Sequence, residues 1–299
     1  MGIMTQTTAI SIAQPVRRRP KLRGLAIYII GLVIVVLVVF APLIAPFDPA
    51  KIVGQARLAP SLDHLFGTDQ LGRDVWSRTL YGGQNTLFMA VGSTLIATII
   101  GVPLGIFAGY FGKWRGAVTM RFMDILLAFP GLLLALVIIT IFGPGLITTT
   151  IAVGISFIPV FARVIYGTTQ RIRAEEYIAA ARVIGASSWR IMGRHVVPVV
   201  LTEVLVLFSS AIGWTTLLCA ALSFLGFGVA PPTAEWGVDL GTGSKYLAQA
   251  WWISAGPGFA ITLTILVANF LGDYIAKVLH AEPILAPGTA STATAANAV

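Results

Sequence analysis

The sequence predicts an all-α membrane protein with six transmembrane helices and one large polar loop between two of them. Hydrophobic residues make up 57% of the 299 residues and charged residues only 11%, a composition that a water-soluble domain could not keep from solvent. Several apolar runs reach about 20 residues, the length that crosses a bilayer as one helix. A segment rich in arginine and helix formers, residues 176–198, interrupts these runs.

The first predicted span runs from Leu25 to Pro46 and contains no charged residue. It is too long for the apolar region of a secretory signal peptide, which covers about 7 to 15 residues and ends at a small-residue cleavage site. We therefore predict an uncleaved span that follows a basic cytoplasmic N-terminus, residues 1–24.

Five more spans are predicted, separated by charged or Gly/Pro-containing connections. They are Thr86–Tyr110, Met123–Phe142, Leu146–Ile165, Val196–Leu222 and Gly258–Val278. An external loop is expected over residues 47–85 and a five-helix core over residues 86–280. A disordered C-terminal tail is expected over residues 281–299, because the sequence from Ala286 onward is small, uncharged and without periodicity.

The positions of Lys and Arg predict the orientation, because cytoplasmic loops carry an excess of these residues. With the N-terminus inside, fifteen of the twenty Lys and Arg residues fall on the cytoplasmic side. We therefore expect both termini, and the loop over residues 166–198, to be cytoplasmic. The net charge of +8 is explained by this bias and by contact with anionic lipid heads, so nucleic-acid binding is not expected.

Residues 176–198 predict a helix, a tight turn and a second helix attached to the next span. Four residues at helical spacing form one apolar stripe: Tyr177, Ala180, Ala181 and Ile184. Gly185 predicts a left-handed cap, and the serines from Ser187 predict the start of a second helix that runs to Pro198. This element could dock in a groove of another protein or lie as an amphipathic helix on the membrane surface.

The same segment resembles the coupling loop of bacterial ABC importer permeases. The pattern of that loop is Glu-Ala-Ala, three residues, Gly, nine residues, then Ile-x-Leu-Pro. Here an alanine replaces the acid and His195 replaces Ile, but EYIAAARVIGAS followed by RHVVP is similar to the peptide and nickel branch of the family. The resemblance implies that the ATPase-coupling residues are Glu176, Tyr177, Ala179, Ala180, Ala181, Gly185, Ala186, His195 and Pro198.

Three further stretches resemble the second permease subunit of dipeptide and oligopeptide importers, the DppC and OppC type. Residues 17–49 resemble the extra first helix of that subunit. His64–Gly82 resembles its signature FGTDxxGRDxxSRxxYG, and Leu222–Gly237 resembles its SFLGxGxxPPxxxWG stretch. The resemblance implies the type I ABC importer permease fold.

The segment His64–Gly82, called the signature loop below, holds eight candidate residues: Gly67, Thr68, Asp69, Gly72, Arg73, Asp74, Ser77 and Arg78. Asp69 with Arg73, and Asp74 with Arg78, allow i,i+4 ion pairs on a short external helix. The loop is expected either to be a solvated cap over the pore mouth or to contact the solute or its delivery protein. Glycines and paired prolines in Leu222–Gly237 predict a bent, re-entrant element at the external face.

The resemblance implies the pore-forming permease subunit of an ATP-driven, binding-protein-dependent importer in the bacterial inner membrane, with dipeptides or oligopeptides as solutes. It implies these partners: a related permease subunit of the DppB or OppB type as a heterodimer, two ATPase subunits or domains, an external solute-binding protein and membrane lipid. Nickel or another small solute is the alternative cargo. From the residues alone, a secondary carrier or a channel is the alternative function.

The sequence holds no phosphate-binding loop of the form GxxxxGK[ST] and no Cys/His cluster with metal-ligand spacing. Its three histidines fall in unrelated segments, so no catalytic set of residues is predicted. We therefore do not expect this chain to be an enzyme, to bind a cofactor or to hold a metal. ATP and Mg²⁺ would be used by the partner ATPase subunits.

Overall fold

The computed structural model describes residues 22–280, with side chains described for residues 29–279. Most of the predicted basic N-terminus, and the whole predicted tail over residues 281–299, lie outside the described residues. Within them the architecture is helical. The helices in chain order are α1 (Leu22–Val39), α2 (Ala41–Ile44), α3 (Val75–Phe111), α4 (Lys113–Leu127), α5 (Gly131–Phe142), α6 (Leu146–Arg173), α7 (Glu176–Val183), α8 (Ser188–Ile191), a π-helical turn (Met192–Val196), α9 (Val197–Phe224), α10 (Trp236–Ser244) and α11 (Trp252–His280).

Among the described residues, four stretches are long and apolar enough to cross a membrane, which confirms the multi-pass fold. They are Val75–Phe111, Leu146–Arg173, Ser188–Phe224 and Trp252–Leu279. The bent pair formed by α4 and α5 makes a fifth if the two helices count as one span. The described apolar part of α1, Ile29–Val39, is shorter. The predicted number of six spans is therefore not established by helix length.

The second predicted span is longer than expected at its start. Helix α3 begins at Val75 rather than Thr86, because Asp74 caps it: one carboxylate oxygen accepts a hydrogen bond from the Ser77 amide at 2.8 Å. Residues 75–85, which we expected in the external loop, form the first turns of this helix. It continues through Pro103 to Phe111 and is about 55 Å long at 1.5 Å per residue.

The third predicted span, Met123–Phe142, is not one straight helix. Helices α4 and α5 meet at an angle of 84°. The break falls at Pro130, which has no N–H to continue the hydrogen-bond ladder and which disfavours helical geometry at Phe129. Helix α5 alone has 12 residues, about 18 Å, too short to span a bilayer.

Helices α3 and α6 form the centre of the bundle and approach each other closely along a glycine stripe. Gly101, Gly105 and Gly109 repeat every four residues on α3. A Cβ atom at Gly105 would lie 2.6 Å from the Ala162 carbonyl oxygen, and one at Gly101 would lie 2.7 Å from the Ile158 carbonyl oxygen. Small residues at such spacing let two membrane helices pack backbone to backbone.

The bundle has two ends that carry the candidate sites. At one end, the coupling end, α7 and α8 connect α6 to α9. At the other, the signature end, the segment over residues 45–74 lies beside α10 and the start of α11, where Val75 packs against Ala250 and Ile253. Helix α11 also packs along α9, and α1 packs on α11, so both candidate sites are attached to the same helices.

Candidate functional site

The first arm of the predicted coupling loop is helix α7, which is separated from α6 only by Ala174 and Glu175. The predicted corner is present at Gly185, whose φ is +83°. The amide of Gly185 donates to the Arg182 carbonyl, and the amide of Ala186 donates to the Ala181 carbonyl, each at 3.0 Å. This is the Schellman arrangement, in which a left-handed glycine ends a helix.

The second arm starts at α8, where the Ser187 hydroxyl oxygen accepts a bond from the Arg190 amide at 3.4 Å. The arm does not stop at Pro198 as predicted, because α8, the π turn and α9 form one continuous helix. The amide of Val197 donates to the carbonyl of Met192, five residues earlier. This wider turn accommodates Pro198, which lacks an N–H and would clash in a regular α-helical turn.

One buried apolar cluster fixes both arms to the bundle. Ile178, Ile191 and Val196 are at most 1% exposed. The cluster includes residues of α3, α6, both arms and α9: Ile106, Tyr110, Ile165, Ile172, Ile178, Ala181, Ile191, Met192, Val196, Val200 and Val204. Burial of one such side chain contributes roughly 1.5–3 kcal/mol. A displacement of the loop must therefore move α6 and α9 with it.

The outward face of the loop also carries large apolar side chains, which differs from the predicted stripe. Of the four residues of that stripe, only Ala181 is buried. The other buried residue of α7 is Ile178, which the predicted stripe did not include. Large side chains on the outward face are Tyr177, Val183, Ile184 and Trp189, which are 46%, 88%, 84% and 69% exposed. Ala179 and Ala180 are exposed between them. A rigidly held face with this composition is typical of a protein contact.

The remaining predicted coupling residues lie around this face. Glu176 and Pro198 are exposed, and Ala186 is half-buried. His195 is also half-buried, with its ring centroid 6.2 Å from that of Tyr177. Partial burial, assisted by the charge of Glu175, raises the pKa of Tyr177, so the phenol is neutral at neutral pH. The structure therefore brings the predicted coupling residues together at one corner.

Sequence reasoning missed the aromatic support of that corner. Trp189 contacts Phe111 edge to face, with ring centroids 5.9 Å apart, and the Arg182 guanidinium lies 5.7 Å from the centroid of Tyr110. Both partners lie at the end of α3, far from the loop in sequence. No local pattern in residues 176–198 could have indicated them.

The signature loop is buried, not solvated. Gly67 and Gly72 have φ values of +69° and +82°, which glycine adopts without strain. The Thr68 hydroxyl donates to the Gln55 carbonyl at 2.6 Å and accepts from the Leu58 amide at 2.8 Å. All eight candidates are buried, Gly67 and Gly72 included. The six with polar side chains are at most 5% exposed: Thr68, Asp69, Arg73, Asp74, Ser77 and Arg78.

One predicted ion pair is present and the other is not. The Arg73 Nε donates to an Asp69 carboxylate oxygen at 2.6 Å, as predicted, but in a turn rather than on a helix. Asp74 does not pair with Arg78. Its carboxylate accepts from the Ser77 hydroxyl at 2.7 Å and lies 3.0 Å from the His64 Nδ1. Asp74 is the N-cap of α3, so its carboxylate is directed to the start of the helix at Val75. This explains why it does not pair with Arg78.

Arg78 instead pairs with Asp239 of α10, through Nη2 at 2.5 Å and Nε at 3.1 Å. Burial raises the pKa of Asp239 to about 6, although the charge of Arg78 acts to lower it. Asp239 and the neighbouring residues also line a small internal cavity of about 10 Å³. The signature loop is therefore a buried polar core that joins α3 to α10.

The predicted bent element after α9 is present. Helix α9 ends at Phe224, and the chain turns at Gly226, whose φ is +91°, before it returns in α10. Glu235 is fully buried and caps α10 by accepting from the Val238 amide at 2.9 Å. Its other carboxylate oxygen accepts from the Thr86 hydroxyl at 2.7 Å. Burial raises the pKa of Glu235, and these hydrogen bonds act to lower it.

Among residues 22–280, no group of three His, Cys, Asp or Glu side chains lies close enough together to hold a metal ion.

Comparison with known proteins gives a consistent family. Residues 101–282 match the model of the family described as binding-protein-dependent transport system inner membrane component. The matched segment contains the coupling loop and the bent element after α9. It does not contain the signature loop.

Several curated proteins are similar over most of the chain. A putative peptide transport system permease protein of Brucella suis is 40% identical over 255 residues, which cover 84% of this chain and 86% of that protein. The glutathione transport system permease protein GsiD of Escherichia coli is 39% identical over 265 residues, with coverage of 88% and 87%. The di/tripeptide transport system permease protein DppC of Pseudomonas aeruginosa is 38% identical over 255 residues, with coverage of 83% and 84%.

A solved structure supports the fold. A chain of the MetNI methionine ABC transporter, in an inward-facing conformation, aligns with a TM-score of 0.55 and 17% sequence identity. The alignment covers 68% of this chain and 96% of that chain. At this level of identity the likeness concerns the helical architecture alone.

Proposed function

This chain belongs to the family of binding-protein-dependent transport system inner membrane components, the permeases of type I ABC importers, and on that premise we propose that it forms half of the pathway of a peptide importer. The other half is a related permease subunit of the DppB or OppB type. Two ATPase subunits or domains bind ATP and Mg²⁺, and an external solute-binding protein delivers the solute. We expect ATP hydrolysis to take place in those partner subunits and not in this chain.

The coupling loop is the observation that carries this proposal. Its outward face, from Tyr177 to Trp189, presents large apolar side chains and is rigidly held, as a surface that receives a force from another protein must be. When two ATPases close on ATP, each coupling loop moves with its ATPase. Because the second arm continues into α9 without a break, that movement reaches the span directly.

An ion pair on the surface of the bundle supports a partner permease. Arg163 of α6 pairs with Asp124 of α4, and the two side chains are 54% and 39% exposed. Arg163 lies ten residues before the end of α6, about 15 Å along the helix. Charged side chains that face lipid hydrocarbon are costly. This face therefore turns toward the pathway or the second permease subunit.

The orientation and the solute follow from the same premise. The coupling end is cytoplasmic, where ATP is available, and the signature end is external in the bacterial inner membrane, which agrees with the excess of Lys and Arg on the coupling side. Short peptides are the proposed solutes, because the similar proteins carry names of peptide, glutathione and di/tripeptide transport systems.

Reconstitution tests the proposal. The purified complex of two permeases and two ATPases, with its solute-binding protein, should accumulate radiolabelled trialanine in liposomes when ATP and Mg²⁺ are present. This chain alone should neither hydrolyse ATP nor transport. A lone chain that moves trialanine without ATPase subunits would contradict the importer and favour a secondary carrier. A complex in which ATP hydrolysis is not stimulated by the binding protein loaded with trialanine would contradict the peptide assignment.

A further inference from the structure

A second cavity lies at the signature end, separate from the signature loop core. Its volume is about 440 Å³, within the range of about 300–1,000 Å³ for pockets that bind small molecules. The end of α9, the bent element, α10 and the turn between α5 and α6 form its walls. Phe224, Leu225 and Val238 make part of the wall apolar. Phe224 and Ala230 are exposed, so the cavity is open to the surface.

Three successive backbone amides in the cavity wall have no acceptor. They belong to Gly228, Val229 and Ala230, and no backbone or side-chain atom of the described chain accepts a hydrogen bond from them. Pro231 and Pro232, which follow, have no N–H. Unpaired amides in the wall of a cavity are available to donate hydrogen bonds to a ligand.

One side chain adds a charged donor to the same wall. Lys245, at the end of α10, is exposed, and no acidic side chain in the described part of the chain pairs with it. The unpaired amides are donors and Lys245 is a cation, so a carboxylate, which accepts hydrogen bonds and carries negative charge, would satisfy both.

We propose that this cavity binds the C-terminal carboxylate of a short peptide. Lys245 pairs with the carboxylate, and the amides over residues 228–230 donate to it. The apolar wall at Phe224 and Val238 contacts the last side chain of the peptide. This inference rests on the proposed function, since it places the cavity on the external face where the solute arrives.

A cysteine reporter tests the proposal in the reconstituted complex without ATP or binding protein. Ala230→Cys, in a Cys219→Ala background, places a thiol in the cavity wall and leaves the backbone amide intact. Trialanine should slow labelling of this thiol by a maleimide, and trialanine amide should need about a tenfold higher concentration, since it lacks the charged acceptor. Lys245→Met should raise the trialanine concentration needed by about tenfold, and Lys245→Arg should restore protection. Lys51→Met, an exposed lysine at the same end but outside the cavity, is the matched control.

Other results overturn the proposal. Equal protection by trialanine and its amide, no protection at all, or protection that Lys245→Met leaves unchanged would each exclude carboxylate recognition. In a parallel assay with the empty binding protein added, protection by that protein and none by trialanine would show a protein-docking surface instead. ATP-driven uptake of trialanine is measured on the same complexes. Uptake without protection overturns this site and leaves the importer intact, whereas protection without uptake keeps the site and contradicts peptide import.

Discussion

Arg78 and Asp239, 161 positions apart in the chain, are joined by two hydrogen bonds to a single carboxylate oxygen. Both side chains are buried. The remaining nitrogen of the Arg78 guanidinium donates to the Pro49 carbonyl at 2.8 Å and to the Pro232 carbonyl at 3.2 Å. One side chain on α3 therefore joins α10, the loop after α2 and the proline turn.

Replacing Arg78 should destabilise the signature end strongly. Arg78→Met leaves Asp239 buried without its charge partner, and breaking a buried pair in this way costs about 3–5 kcal/mol. The thermal unfolding midpoint of the purified complex should fall clearly. Arg57→Met is the matched control, because Arg57 is exposed and its side chain donates to Gln249; that variant should change stability by less than about 0.5 kcal/mol. The double variant Arg78→Met/Asp239→Leu should recover part of the loss, and a double variant as unstable as Arg78→Met would contradict the explanation.

Asp239 should give the stability a pH dependence of known sign. Its folded-state pKa of about 6 lies above the ordinary value of 3.8, mainly through burial. Between about pH 4 and 6 the folded protein therefore holds a proton that the unfolded chain has released, and stability from this group decreases by roughly 3 kcal/mol as the pH rises. Above about pH 6 the contribution is constant. Unfolding curves of the complex over this window should be flatter for Asp239→Asn, and equal slopes would refute the assignment.

The glycine stripe should tolerate no side chain. Gly105→Ala puts a methyl group against the Ala162 carbonyl, and overpacking of this kind costs about 1–3 kcal/mol. Gly167→Ala makes the same change on α6 at a position where nothing lies within 4 Å. We expect lower yield and a lower unfolding midpoint for the first variant only. Equal changes in yield and unfolding midpoint for the two variants would contradict the close approach of α3 and α6 at Gly105.

The corner of the coupling loop should be sensitive to conformation and not to size. Gly185 has open space around it, but its φ of +83° disfavours Val by about 1–2 kcal/mol. Gly185→Val should lower uptake per ATP hydrolysed while membrane insertion is unchanged. Gly193→Val, in the π turn and also with open space, should transport normally. Unchanged uptake in the Gly185 variant would contradict the coupling role of this corner.

Thiol labelling should place the two loops on opposite sides of the membrane. In a Cys219→Ala background, Leu62→Cys, at a position 98% exposed, should react with an impermeant maleimide on intact cells. Ser188→Cys should react only after the membrane is opened. Ser188 is preferred to Ser187, whose hydroxyl caps α8. Labelling of both cysteines on intact cells would invert or abolish the proposed topology.

The sequence predicted the features that depend on local chemistry. Apolar length located the helices that contain the predicted spans, although α3 begins at Val75 and not at Thr86. The glycine at 185 located a helix end, because short-range sterics decide such a position. Pro130 and Pro198 show the limit of this reasoning. The first proline breaks a predicted span and the second does not break a helix, since a π turn precedes it. Local sequence does not distinguish the two outcomes.

Partner choice in the signature loop was less predictable. Asp69 pairs with Arg73 four residues away, as the spacing predicted. Arg78, however, pairs with Asp239 on α10, and His64 contacts Asp74 at a helix terminus. A spacing rule treats every i,i+4 pair alike. The fold decides between them by burial, because a buried guanidinium needs several acceptors and only the assembled signature end supplies them.

The unbroken helix from Ser188 to Phe224 joins the surface that an ATPase would contact to the wall of the open cavity at the other end. At 1.5 Å per residue it is about 55 Å long, so both ends belong to one stiff body. Release of the solute at one end and closure of the ATPases at the other would then occur together, and not one after the other, within each subunit. Any substitution that softens this helix would delay one event relative to the other without altering either binding surface.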